Sequence, residues 1–423
     1  MRNIRAPIIS SLLLIAWMGG QPLLALDWPQ WRGGDRTDLS KETGLLKQWP
    51  AAGPTRLWLY RNAGAGYSGF SISRGKVVTM ATRDDMEHIL ALDEQSGREL
   101  WAASLTAALF LEAHGDGPRG TPTVDGDKVY ALGSKGTVIC VNFADGKVVW
   151  KVAMQDFGGA VPMWGYAESV LVDGDKLICT PGGSREAMVA LDKHTGKLIW
   201  QSKGFADPAQ YASIVPATIN GVLQYVQLTM QHVVGVRAAD GQLLWESEWP
   251  GQVAVIPTPI VRDNLVYVSS GYSVGNKQVR IGPNNRAEDS FARNNVMKNH
   301  HGGVILVGDY LYGYSGGGGG DNAGSWVCQH FRTGARVWSS TAFGKGAITF
   351  AEGMLYGLDE SSGMVVLFEA SPTGWKEHGR FRLDPQSRNH APSGLIWTHP
   401  VVSNGKLFLR DQEFISCYDI KAK

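Results

Sequence analysis

The amino-acid sequence predicts an all-β fold, a β-propeller of eight four-stranded blades, with seven blades as the alternative. Three observations carry this. A phrase ending in tryptophan recurs five times with a glycine at a fixed distance before it, a looser alternating phrase accompanies the copies, and each end of the chain holds half a unit.

The chain opens MRNIRAPIISSLLLIAWMGGQPLLALDWPQW, in which Arg2 and Arg5 precede an apolar run from Ile8 to Gly19 and then small, turn-forming residues. This is the pattern of a secretory signal peptide, expected over residues 1–25 with cleavage near Ala25. Gly19, Gly20 and Pro22 interrupt the run before the roughly 20 apolar residues that a membrane-spanning helix needs. An uncleaved anchor is the alternative. No cysteine lies near the cleavage point for lipid attachment, and no paired arginines suggest a twin-arginine route. The expectation is a periplasmic or secreted protein with no transmembrane segment once the signal is removed. Residues 26–54 then form a lead-in, and residues 55–423 the propeller.

The repeated phrase reads ALDEQSGRELW ending at Trp101, CVNFADGKVVW at Trp150, ALDKHTGKLIW at Trp200, GVRAADGQLLW at Trp245 and CQHFRTGARVW at Trp338. In all five a glycine (Gly97, Gly146, Gly196, Gly241, Gly334) stands four residues before the tryptophan. The looser phrases include TPTVDGDKVYAL at Thr121, SVLVDGDKLICT at Ser169, TPIVRDNLVYVS at Thr258, GVILVGDYLYGY at Gly303 and HPVVSNGKLFLR at His399. Each unit therefore reads as four short strands: an apolar run, a tight turn, an alternating strand, a third strand, a glycine turn and an outer strand ending in Trp. The turn glycines supply φ > 0 at little steric cost. A tryptophan is large enough to fill the gap between neighbouring sheets, so each unit needs a neighbour and the array closes on itself.

Spacing sets the ring size. Trp101 and Trp338 are 237 residues apart, and the long step from Trp245 to Trp338 hides a fifth unit whose signature is lost, so the period is roughly 47 residues. About 7.8 such periods fit between Thr55 and the C-terminus. The hidden unit falls at Val274 to Lys298 and is expected to carry an insertion over one face. The run from Gly316 to Asp321 is expected to be a flexible loop. The last phrase, FISCYDIKAK, lacks an outer strand, while TRLWLYRN around Trp58 is an outer strand with no unit before it. Joined, they complete one blade and remove the open sheet edge.

Cys140, Cys328 and Cys417 take the place that Ala91, Ala190 and Gly235 hold in other repeats, so they are expected to be small buried residues in three different blades. Cys179 has no evident mate. Four free thiols are expected despite export. The formal net charge of +1, with mixed signs, offers no electrostatic reason for a nucleic-acid or anionic-membrane partner. A monomer is expected.

Aligning the first strands on their turns brings unusual residues to one register, at the channel mouth: Tyr67, Arg119, Glu168, His301, Lys345, Trp397 and His399. Trp164, Tyr211 and Tyr272 stand in the neighbouring phrases MWGYAES, DPAQYAS and SSGYSVG. These ten are the candidate ligand-binding residues. Each has a structural reading beside the functional one: Trp164, Tyr211 and Trp397 as packing between blades, and Arg119 with Glu168 as an ion pair bracing two blades. His300 and His301, as neighbours in a strand, are expected to point to opposite faces, against a shared metal ion, and no metal site is assigned. The remaining histidines, His114 among them, read as loop or surface residues.

The A-L-D-x-x-T-G-x-x-x-W phrase resembles the pyrroloquinoline-quinone (PQQ) repeat, over nearly all of the chain after the signal. Quinoprotein alcohol dehydrogenases share the repeat and hold PQQ and Ca²⁺ in the propeller channel. So does the non-catalytic lipoprotein that helps to assemble outer-membrane β-barrels. The opening DWPQWRGGDRTDLSKETGLLKQWPAAGP is similar to the start of secreted propellers of planctomycete type. The dehydrogenase pattern implies a disulfide between adjacent cysteines, a carboxylate and an asparagine on Ca²⁺ and an aspartate base. This chain has no Cys-Cys pair and no C-x-x-C-H haem motif, and no spacing singles out a partner for Glu168. Fold resemblance leaves function open. The function expected is an exported binding or scaffold propeller that engages a protein partner or small polar ligand at the channel mouth, with no cofactor. The alternative is a quinoprotein-type oxidoreductase with PQQ and Ca²⁺. A lyase or hydrolase acting on a glycoside finds no paired carboxylates to support it.

Overall fold

The structure, a computed structural model, describes residues 26–108, 110–317 and 324–422. The expected signal peptide lies outside the described residues, as does most of the glycine run, residues 318–321. Eight four-stranded antiparallel sheets follow one another along the chain. Blades 1 to 7 span residues 71–108, 123–153, 171–201, 215–248, 260–294, 304–340 and 346–382. Blade 8 takes its three inner strands from residues 401–419 and its outer strand from Thr55–Tyr60, which pairs antiparallel with Phe414–Asp419. The half-units at the two ends thus meet in one sheet. Among the described residues no helix is long and apolar enough to cross a membrane.

The cores lie between sheets rather than within them. Between blades 1 and 2, for example, Val78, Met80, Ile89 and Trp101 pack against Val124, Val129, Ile139 and Phe143. The tryptophans work as the repeat requires. Trp58, Trp101 and Trp150 each reach the following blade and donate Nε1–H to the carbonyl of Glu94 (3.0 Å), Phe143 (3.1 Å) and Lys193 (2.9 Å). Each acceptor stands three residues before the glycine under the ring. A Cβ on Gly97, Gly146 or Gly196 would lie 2.6 to 2.8 Å from that ring, so glycine is needed for the approach as well as for φ near +70°. Opposite the tryptophan on its own third strand stands a small residue every time: Ala91, Cys140, Ala190, Gly235, Cys328 and Cys417. Those three cysteines and Cys179 are buried and free.

The fifth unit departs from expectation. Residues 274–298 carry no insertion; Gly275–Ile281 and Ala287–Asn294 are the third and fourth strands of an ordinary blade. Phe291 takes the place of the missing tryptophan and covers Gly334, 2.9 Å from where a Cβ would stand. A phenyl ring has no N–H. Gln278 Nε2 instead donates to the Phe331 carbonyl at 2.8 Å, three residues before Gly334. On the other side of this blade Trp245 turns inward and donates to Gln224 Oε1 (2.6 Å) of its own sheet, over Gly235.

The lead-in is built into the ring. Trp28 bridges Ile72 of blade 1, and the Pro29 carbonyl accepts from Val124 N–H of blade 2 at 2.7 Å. Residues 31–38 then fold tightly across the channel, with Arg32, Arg36 and Asp38 at φ of 62°, 54° and 61°. Arg36 donates to the carbonyls of Ser169 (2.5 Å) and Val170 (3.2 Å) of blade 3, and Arg32 to the carbonyl of Val304 (2.7 Å) of blade 6. Leu39–Ser40 adds a parallel strand to blade 7. The cost of burying the two guanidinium groups is offset by these carbonyls and, for Arg32, by Asp38 at 3.0 Å.

Candidate functional site

With one end of the channel crossed by the lead-in, the other opens as a blind cavity of about 200 Å³ whose lining includes Trp31 and Arg32 of that crossing segment. Trp31 is fixed by donating Nε1–H to Thr258 Oγ1 at 3.0 Å and by edge contact with the His399 ring at 4.7 Å. Deep in the cavity run the hydroxyls at the head of successive first strands: Ser169, Ser213 and Thr258. Ser169 Oγ accepts from Thr121 N–H (2.9 Å) and Ser213 Oγ from Ser169 N–H (3.0 Å), so both hydroxyls keep their own proton to donate.

Eight of the ten expected residues line this cavity: Tyr67, Arg119, Trp164, Tyr211, Tyr272, His301, Trp397 and His399. Their rings pack on one another and face the cavity at once. Tyr67 lies 5.2 Å from Trp397, Trp164 5.8 Å from Tyr211, and His301 stacks on Trp397 at 4.6 Å. Arg119 sits in the tight loop 112–119. It donates to the carbonyls of Gly117 (2.9 Å) and Gly115 (2.6 Å), beneath the rings of Tyr67 and Phe110. Among the described residues it makes no ion pair.

The other two residues stand elsewhere. Glu168 is buried away from the cavity, where its carboxylate accepts from Thr180 N–H (2.7 Å) and Oγ1 (3.2 Å), and its charged neighbour is Arg36, not Arg119. The brace between Arg119 and Glu168 does not form, because successive residues at the head of the strand turn to opposite sides and Ser169 takes the channel side. Burial raises the Glu168 carboxyl to about 8, outweighing Arg36 and the Thr180 hydrogen bonds. Lys345 lies behind the lining, paired with Glu360 at 2.9 Å and 3.0 Å from His300 Nδ1.

The expectation for the paired histidines needs correction. His300 and His301 precede the strand Val304–Val307 rather than lying in it, and both rings face the cavity, 3.7 Å apart. His114, expected as a loop or surface residue, is an exposed loop residue whose ring also lines the mouth, its Nδ1–H donating to the Glu112 carboxylate at 3.0 Å and its ring standing edge-on to Trp164 at 5.9 Å. Burial, with Lys345 beside it, lowers His300 to about 3 and holds His301 well below its ordinary value, so both are neutral. An ordered chain results. Glu360 holds Lys345, the Lys345 ammonium donates to His300 Nδ1, and His300 Nε2–H donates to Tyr272 Oη at 2.9 Å. Tyr272 accepts at its oxygen, which leaves its phenolic proton to point into the cavity. Tyr272 and Ser273 hold left-handed φ of 52° and 61°, a strained backbone that aims the ring.

Among the described residues the lining holds no Asp, Glu, Asn, Gln or Cys. A Ca²⁺ ion takes six to eight oxygen ligands with carboxylates among them, so these residues do not fit the quinone-with-calcium arrangement. Among the described residues no three His, Cys, Asp or Glu converge on a metal position.

Fold and site together define an eight-bladed propeller of PQQ-like repeats, plugged at one end of the channel and open as an aromatic, cationic cavity at the other. The sequence profile of the family described as outer membrane protein assembly factor BamB matches residues 85–340, more than half of the chain, and the chain belongs to that family. No curated protein matches it by sequence. Among solved structures it is similar to BamB from Moraxella catarrhalis, with 15% identity, a TM-score of 0.59, and coverage of 88% of this chain and 99% of that one. Quinohemoprotein alcohol dehydrogenase from Comamonas testosteroni gives 11% identity and a TM-score of 0.64, covering 94% and 81%. The computationally designed Ika8 protein gives 13%, 0.58, and 87% and 100%. At these identities the likeness is one of fold.

Proposed function

We propose that the chain is an exported binding propeller that takes a small polar ligand in the blind channel mouth. The observation that carries this reading is Arg119, a mostly buried cation lining an aromatic cavity; among the described residues no carboxylate pairs with it directly, and Glu87 and Glu112 act on it only at longer range. A buried charge costs several kcal/mol unless it is paired or solvated; the Gly115 and Gly117 carbonyls offset part of that cost and leave the rest of the guanidinium facing the cavity. A concave, largely apolar site with a few converging polar groups is how small ligands are held. Export rests on the pattern of Arg2, Arg5 and the short apolar run. Intact mass of protein from the exported fraction tests it, and a mass that still includes Met1 to Ala25 contradicts cleavage.

Binding is tested by heating the protein with and without a small-molecule extract of the source cells. The native chain is expected to melt higher with extract, and Ala167→Trp, which fills the mouth, is expected to lose that shift. A second reading, a protein partner, is favoured by the exposed apolar rim of Leu111, Met163 and Val253. Val253 is held at φ 56° beside the lining residue Ala254, which is costly for a β-branched residue. Stabilisation confined to the macromolecular fraction of the extract would favour that reading. Among the described residues the lining offers no carboxylate for the calcium of a quinone dehydrogenase.

A further inference from the structure

We propose that the ligand is a sugar acid, a pyranose ring carrying one carboxylate, anchored on Arg119. This rests on the small-ligand reading above and names its chemistry. Four features of the cavity select it. Arg119 spends two N–H groups on Gly115 and Gly117, and its remaining donors have no acceptor among the described residues, so one anion completes the site. Glu87 and Glu112 reach Arg119 only at longer range, so its free N–H groups are open to one carboxylate in direct contact. The walls Tyr67 with Trp397, and Trp164 with Tyr211, are tilted to each other by 36° and 51°. Each pair is in contact with itself, so the two pairs act as apolar walls against which the C–H face of a pyranose can lie.

Hydroxyl recognition is the remaining feature. Tyr272 presents a proton whose direction is fixed by the chain through His300 and Lys345, and Ser169 and Ser213 each keep a proton to donate. Donors spread around an apolar cavity match the ring and hydroxyl oxygens of a sugar, whose loss would leave them unpaired. Neutral His300 and His301 add no second charge to compete for the carboxylate.

The test is calorimetric titration of the full chain with D-glucuronate, D-glucose and 4-hydroxybenzoate. Glucuronate is expected to bind at least about tenfold tighter than either other probe, the factor that one charge-assisted hydrogen bond supports. Arg119→Gln is expected to weaken glucuronate about tenfold or more, with Arg119→Lys recovering part of the loss. Tyr272→Phe is expected to weaken it several-fold at a temperature where the variant, less stable for the lost His300 hydrogen bond, is still fully folded, and carries the test if Arg119→Gln does not fold. Equal binding of glucose and glucuronate, preference for 4-hydroxybenzoate, or indifference to both Arg119→Gln and Tyr272→Phe overturns the proposal. If no probe binds while cell extract still stabilises the protein, the sugar acid is wrong and the binding reading stands. If the extract also fails, both fall.

Discussion

Glu168 and His300 are both buried and both displaced from their ordinary protonation, in opposite senses. Burial raises Glu168 from 4.5 to about 8, so between those values the native state holds a proton that the unfolded chain releases. Its contribution to stability is complete below about pH 4.5 and lost as pH rises through 8. His300 is lowered from 6.5 to about 3, so the unfolded chain takes up the proton first and stability falls as pH drops below 6.5. Melting temperature against pH is therefore expected to lose part of its fall between about pH 4.5 and 8 in Glu168→Gln, and part of its fall from pH 6.5 towards about 3 in His300→Gln. Unchanged limbs would show that neither group titrates with unfolding. The same residues mark what is legible at this scale. Repeat register brings Arg119, His301, Trp397 and His399 to the mouth because it fixes where each backbone enters the channel. It does not fix which way a side chain turns, so Glu168 and Lys345 fall behind the lining, while His114 reaches it from a loop with no periodic signal.

At five junctions, over Gly97, Gly146, Gly196, Gly241 and Gly334, a ring of one blade covers a glycine of the next, and the period of that contact is what the sequence displays. The fifth blade was hidden because its two halves of the contact changed together: Phe291 supplies the ring and Gln278 the hydrogen bond that an indole would have given. Gln278→Ala is expected to destabilise by about 1–3 kcal/mol, the cost of leaving a buried carbonyl unpaired. Trp101→Ala is expected to cost about 3–5 kcal/mol. Denaturant titration of the two variants checks both, and a silent Gln278→Ala would mean the Phe331 carbonyl has another donor.

Across the whole molecule, closure depends on the segment before Asn62, which supplies the outer strand of blade 8 and the plug across the channel. The outer strand was readable because TRLWLYRN is an outer strand without a unit. The plug was not, because Trp31, Arg32 and Arg36 act through contacts with distant blades that leave no local pattern. Deleting residues up to Asn62 is expected to lower stability by several kcal/mol, with about 3–5 from Trp58 alone, and an unchanged melting temperature would show that the ring closes otherwise.

The plug makes the channel blind, and a blind mouth around Arg119 is the centre of the account. Native mass spectrometry of the protein after incubation with small-molecule extract tests it most directly. One small anionic adduct per chain is expected on the native protein and none on Ala167→Trp; an adduct on both, or on neither, would contradict a ligand in the mouth.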